Sequence, residues 1–264
     1  MLENSLNQGA GLHAIASRAV PRLIAVASHG DAHSELPLLW HLCTALAGMD
    51  ASPLVVLDGT TAESSANPGL SHLLDDGCQP FDTRSEQASW VVLPAAIGLQ
   101  SLSLPDHGAA LALRDLAEVL SGVGVVIIYA EADTLIALLA DSGAEPLLAV
   151  SSSRTSRVTA YQAMKRMLLN AGLRPTIATM VCDPIQSAFS EGQALSTNLQ
   201  DCAMYFLDYQ LDAHTLATEP QHPAPDMHRL ARRLLERAMP LQHNPSLTFG
   251  RHRLDMSTTL VGSH

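Results

Sequence analysis

The chain is expected to fold as a doubly wound α/β protein, with a mostly parallel sheet and helices on both faces. Three observations point there. Short runs rich in Val, Ile and Leu alternate with longer stretches of helical spacing. The short runs are continuously apolar, the pattern of strands covered on both faces rather than on one. Helical stretches separate consecutive runs, as crossovers between parallel strands require.

The first strand is expected at residues 23–27 and the first helix at 34–48, where Leu38, Leu39, Leu42 and Leu46 recur at core spacing. Ser34 is read as the N-cap of that helix and Pro37 as a tolerated residue of its first turn. A second strand at 53–57 ends on Asp58-Gly59, and a third at 90–93 is followed by a helix at about 115–120. A fourth strand at 125–129 precedes a helix at 132–139. The fifth, at 147–150, leads into a long helix at 156–171 carrying Tyr161, Met164, Met167 and Leu168, and the sixth lies at 176–181. No Pro/Gly/Ser linker divides this run. The expected organisation is a segment at 1–20, one α/β domain at 21–215, a C-terminal helix at 226–239 and a polar tail at 240–264 without fixed structure.

Composition narrows the function. With 47% hydrophobic and 16% charged residues, the 264-residue chain can build an ordinary core and needs no disulfide staples. Its net charge of -11 argues against nucleic-acid binding as the main role, because that affinity rests on clustered cations. The basic residues are almost all arginine: Lys165 is the single lysine, so any mechanism needing a lysine elsewhere is excluded. The cysteines Cys43, Cys78, Cys182 and Cys202 form no C-x-x-C pair, and no cationic, apolar signal peptide opens the chain. A cytosolic protein is expected.

In open α/β sheets the turn after the first strand is the usual phosphate cradle. Here it reads Ala27-Ser28-His29-Gly30-Asp31-Ala32-His33-Ser34-Glu35-Leu36. The strand, this turn and the following His41-Leu42-Cys43-Thr44-Ala45-Leu46-Ala47 resemble, without a gap, the opening of the MinD/ParA group of deviant Walker ATPases. Pro53 to Asp58 is similar to their L-L-D-A-D strand, 93–99 to their l-P-a-s-x-G-l stretch, and 155–161 to their T-S-I-T-D-A-Y. The likeness spans about residues 22–185.

The resemblance implies a nucleotide loop whose key residues are changed. The family's phosphate-binding lysine falls on Glu35, its magnesium-binding threonine on Leu36 and its signature lysine on Gly30, while loop glycines fall on His29, Asp31, Ala32 and Ser34. Asp58 keeps the first carboxylate after the second strand, Thr60 replaces the second, and Tyr129 takes the place of the fourth strand's terminal aspartate. A phosphate loop works by converging backbone N–H groups and a neutralising lysine. A glutamate there does the reverse, costing about 4 kcal/mol at ~4 Å and an effective dielectric near 20. ATP turnover is therefore not expected, and neither bound ATP nor magnesium is counted as a cofactor. Glu35 also places an anion at the positive end of a helix, so its carboxylate is expected to occupy the vacated phosphate position.

Ahead of the first strand, Asn7-Gln8-Gly9-Ala10-Gly11-Leu12-His13 is similar to the D-Q-A-x-G-L-R element of the flagellar-number regulators, the FlhG/FleN branch. Gln8, Gly11 and Leu12 match; the terminal arginine is His13. The resemblance implies docking to the SRP-type GTPase FlhF and a role in flagellar number or placement. The same fold also suits a nucleotide-binding regulator of another surface assembly, such as cellulose secretion, and family members form homodimers.

Two further patterns compete. His29, Asp31 and His33 form an H-x-D-x-H string that a metal-dependent hydrolase could use, with Asp58 or Glu63 as a further ligand; a solvated loop is the plainer account in a chain with 12 histidines. The helix at 226–239 sets Leu230 and Leu234 among Arg229, Arg233 and Arg237, which suits either a peripheral membrane or partner contact or a terminal helix packed on the domain.

Overall fold

The computed structural model describes residues 20–49, 53–75, 90–181, 186–217 and 225–241. The Gln8–Leu12 element and the tail beyond 241 lie outside them, as do Cys78 and Cys182. The apolar run after Pro21 forms β1 (Arg22–Ser28), buried at every position past Arg22. It sits in the sheet order β3-β2-β4-β1-β5-β6-β7, built from β2 (Leu54–Asp58), β3 (Val91–Pro94), β4 (Val125–Glu131), β5 (Leu147–Val150), β6 (Thr176–Val181) and β7 (Asp212–Ala217). All these pairings are parallel. A two-residue strand, β8 (Met239–Pro240), adds antiparallel to the start of β1.

Alternation along β1 divides the core. Leu23, Ala25 and Ala27 face one layer, and Ile24 and Val26 the other. The first layer is covered by α2 (Leu70–Asp75), α3 (Ala96–Leu102), α4 (Ala109–Val119), α5 (Ala132–Leu139), α6 (Arg154–Ala171) and α7 (Gln186–Leu207). The second is covered by α1 (Ala32–Met49) and α8 (Pro225–Arg237), which pack on each other. This is the doubly wound sheet expected from the alternation of apolar runs and helices.

The structure corrects several local expectations. The first helix begins at Ala32, with Asp31 rather than Ser34 at its cap: the Asp31 carbonyl accepts from Ser34 N and Glu35 N, both at 3.0 Å. Pro37 consequently lies in the second turn, where it brings no N–H to the helix's hydrogen-bond ladder. The expected helix at 115–120 runs from Ala109 to Val119. α2, α3, α7, β7 and β8 have no counterpart among the expected elements. The sheet continues past 215 through β7, and β8 and Leu241 belong to the fold rather than to the tail.

The C-terminal helix packs on the domain, one of the two readings its sequence allowed. Leu230 and Leu234 are buried with Met227 and Ala231 against the layer that holds α1. A helix lying in a membrane interface presents its apolar face to lipid; here that face is spent on the protein's own core. No helix of the described residues is long and apolar enough to cross a membrane.

Candidate functional site

β1 delivers the chain to the carboxyl edge of the sheet, beside β4 on one side and β5 on the other, where the strand order reverses. The turn from Ser28 to Ala32 is tight, and Gly30 adopts φ +87°, a left-handed conformation that other residues resist. That twist aims two backbone N–H groups inward. His29 N and Asp31 N both donate to Glu35 Oε1, at 2.9 and 3.0 Å. Ser28 Oγ and Tyr129 Oη donate to Oε2, at 2.9 and 2.5 Å. Glu35 is thus a carboxylate only 1% exposed, with four donors on its two oxygens. Burial raises the Tyr129 phenol pKa, and the adjoining Glu35 carboxylate pushes it further up, so the phenol stays a donor.

Around this centre the loop is tied to the next switch of the sheet. The His29 ring lies between Thr159 Oγ1 and the Ala149 carbonyl, 2.7 Å from each, with Nε2 also 3.5 Å from Glu35 Oε1. A carbonyl only accepts, so Nε2 carries a proton. The Asp31 carboxylate accepts from Ser34 Oγ at 2.7 Å and Ser151 Oγ at 2.8 Å. Burial works to raise the Asp31 pKa, but the hydroxyls of Ser156, Ser34 and Ser151, with the His29 ring, outweigh it and hold the group below the usual aspartate range.

The remaining candidates are dispersed. Asp58 ends β2 in register with Tyr129, and its carboxylate is held by Thr60 N, Thr60 Oγ1 and Thr61 Oγ1 at 2.9, 2.7 and 2.7 Å. Leu36 points away from the cradle and is exposed. Both His29 nitrogens are engaged while His33 is exposed on α1, and no group of three or more His, Cys, Asp and Glu among the described residues could hold a metal. The H-x-D-x-H string therefore does not close into a metal centre. On α8, Arg229 pairs with Asp226, Arg233 with Asp212, and Arg237 with Glu145.

Ser151, Ser156 and Thr159 were not among the expected site residues. Tyr129 was singled out from the resemblance, but not as a hydrogen-bond partner of Glu35. Glu63 is structural, not a ligand: its carboxylate accepts from Ile97 N, Gly98 N and Ser71 N at 2.7, 2.9 and 3.1 Å. Burial works to raise its pKa, yet these backbone donors prevail and lower it. Gly98 is required by packing, since a Cβ there would lie 2.7 Å from Leu70 Cγ.

The fold is that of solved MinD and McdA structures. MinD in the MinC:MinD cell division protein complex of Aquifex aeolicus matches with a TM-score of 0.53 at 16% identity, over 84% of this chain and 98% of that one. An ATP complex of a Cyanothece McdA variant matches with a TM-score of 0.51 at 11% identity, over 82% and 89% of the two chains. A further structure, described as a partition protein, matches at 0.50 and 10% identity, over 83% and 67%. No family model matches the sequence, and no curated protein does. At such identities the likeness establishes the fold.

Proposed function

We propose that this chain is a MinD-like regulator that works by protein binding without turning over ATP, and that it serves the number or placement of flagella. The observation that carries the first half is the Glu35 carboxylate, which takes the two inward N–H groups of the β1–α1 turn. In a working phosphate loop such groups meet phosphate oxygens. Here an incoming triphosphate would have to expel an anion held by four donors, each charge-assisted bond being worth about 1.5–3 kcal/mol, and would find no lysine in the turn.

Support for a regulatory role comes from the neighbours: one is a cell division protein in complex with MinC, another a partition protein. The flagellar assignment rests on Gln8, Gly11 and Leu12, with FlhF as the partner. Titration calorimetry with magnesium–ATP, alongside a phosphate-release assay, tests the first half; micromolar binding or sustained release refutes it. A pull-down with FlhF tests the second, with binding expected for the native chain and lost on Gln8→Ala/Leu12→Ala. No binding, or binding the double variant retains, refutes the flagellar reading.

A further inference from the structure

α6 is a basic helix in an acidic chain. Four of the chain's 15 basic residues, Arg154, Arg157, Lys165 and Arg166, lie on it, and none of the 26 acidic ones does. Their placement opposes the helix's own field. A helix dipole favours acids in the first turn and cations in the last, yet Arg154 and Arg157 stand in the first turn of α6 and its last turn holds no cation. Helix stability does not account for that arrangement. Arg166 pairs with Asp133 of α5. Arg154, Arg157 and Lys165 are exposed and form no ion pair among the described residues. On α8, by contrast, Arg229, Arg233 and Arg237 each have an acid partner. Helical spacing gathers the free cations of α6 on one face. Arg154, Val158, Tyr161, Lys165 and Leu169 follow at steps of four, three, four and four, with Arg157 beside them. That face runs ~22 Å at 1.5 Å per residue. Its apolar members are open to solvent, Val158 being 50% exposed and Leu169 65%.

We propose that this face is a docking site for an acidic amphipathic helix of a partner protein. Charge selects the sign of the occupant: three cations without acid partners, set in a chain of net charge -11, are complementary to carboxylates. The interleaved apolar side chains select a polypeptide over a nucleic acid. A phosphate backbone engages cations alone; three are too few to hold it against the negative charge of the whole chain, and it leaves Val158 and Leu169 bare. A partner helix shares the 3.6-residue repeat of α6. Its apolar side chains can therefore meet Val158, Tyr161 and Leu169 while acids on its flanks reach Arg154, Arg157 and Lys165. Carboxylates placed there also offset the repulsion that Arg154 and Arg157 meet from the start of their own helix. The proposal shares with the function proposed above only the premise that the chain works by binding protein, and depends neither on FlhF nor on the fate of ATP.

The test uses the whole chain and a fluorescent amphipathic peptide of 18 residues, the length of α6, with leucines along one face and glutamates on its flanks. Anisotropy should show saturable binding that weakens as salt rises, and none for the same peptide with glutamine in place of glutamate. Arg154→Gln/Arg157→Gln/Lys165→Gln should lose the peptide while keeping the native circular dichroism. Arg114→Gln/Arg229→Gln/Arg232→Gln changes the net charge equally on α4 and α8 and should keep it. Val158→Ser/Leu169→Ser should weaken binding without altering its salt dependence. The proposal is overturned if the acidic peptide does not bind, if the α6 triple variant retains it, or if the other triple variant loses it equally. Binding of single-stranded DNA or phosphatidylglycerol vesicles that the three α6 substitutions abolish overturns it too.

Discussion

Replacing Glu35 tests the cradle most directly. In Glu35→Ala the donors from His29 N, Asp31 N, Ser28 Oγ and Tyr129 Oη lose their acceptor together. The two hydroxyls can rotate to other partners; the two backbone N–H groups cannot. Each buried donor left unpaired costs about 1–3 kcal/mol, so the fixed pair alone sets a loss of about 2–6 kcal/mol. Glu35→Gln should cost clearly less, because its amide oxygen can still take both N–H groups while its NH2 turns to hydroxyls able to accept. Urea denaturation of native protein and both variants measures this through the midpoint at constant slope. Added sulfate or phosphate should raise the midpoint of Glu35→Ala selectively, because the emptied cradle then offers two N–H groups at a helix start to a free anion. Equal midpoints for Glu35→Ala and native protein, or a Gln variant as unstable as the Ala variant, would refute the account of Glu35 as an internal anion.

Other consequences are open to measurement. Tyr129→Phe removes one buried hydrogen bond to a carboxylate and should cost about 1.5–3 kcal/mol in the same assay. Glu63 titrates below its unfolded value, so its stabilisation is complete above the ordinary glutamate pKa of about 4.3 and disappears as pH falls through the folded value. The stability gap between native protein and Glu63→Gln should therefore be open at pH 7 and close on acidification; a gap constant with pH would contradict this. Burial pushes the Cys43 thiol up to about 12, so mass-mapped alkylation of native protein at pH 8 should leave Cys43 unmodified. Leu230→Ala should cost about 2–5 kcal/mol, the range for emptying a buried leucine site; a loss below about 0.5 kcal/mol, the scale of ordinary surface substitutions, would mean that α8 does not close the second layer.

The five inner strands β1, β2, β4, β5 and β6 were legible because each is a short, continuous apolar run, and a strand buried on both faces cannot look otherwise; β3 lies at the sheet's edge, yet Val91, Val92 and Leu93 make the same kind of run. β7 escaped notice for the complementary reason: Asp212–Ala217 is a half-exposed outer strand with polar residues at alternate positions. β8 spans two residues, and only its contact with Arg22 and Leu23 makes it a strand. At the cradle, the resemblance implied that Glu35 stands where the family has its phosphate-binding lysine. The partners of its carboxylate were not legible, because Tyr129 lies 94 residues away and reaches it only once β4 pairs with β1. Ser34 misled by residue type: a serine before an apolar run suits an N-cap, but Asp31 three positions earlier holds that place and takes the Ser34 hydroxyl as its own donor.

The short β8 clasp has a spatial consequence. Leu241 N donates to the Pro21 carbonyl at 2.8 Å, and the Arg22 guanidinium reaches the Leu235 carbonyl at the same distance. Pro21 and Leu241 thus lie side by side at the amino edge of the central strand. Glu35 sits at its far end, about 20 Å off by the rise of a strand of this length. The clasp and the anion cradle therefore occupy opposite poles of one seven-residue strand, joined by a single covalent line.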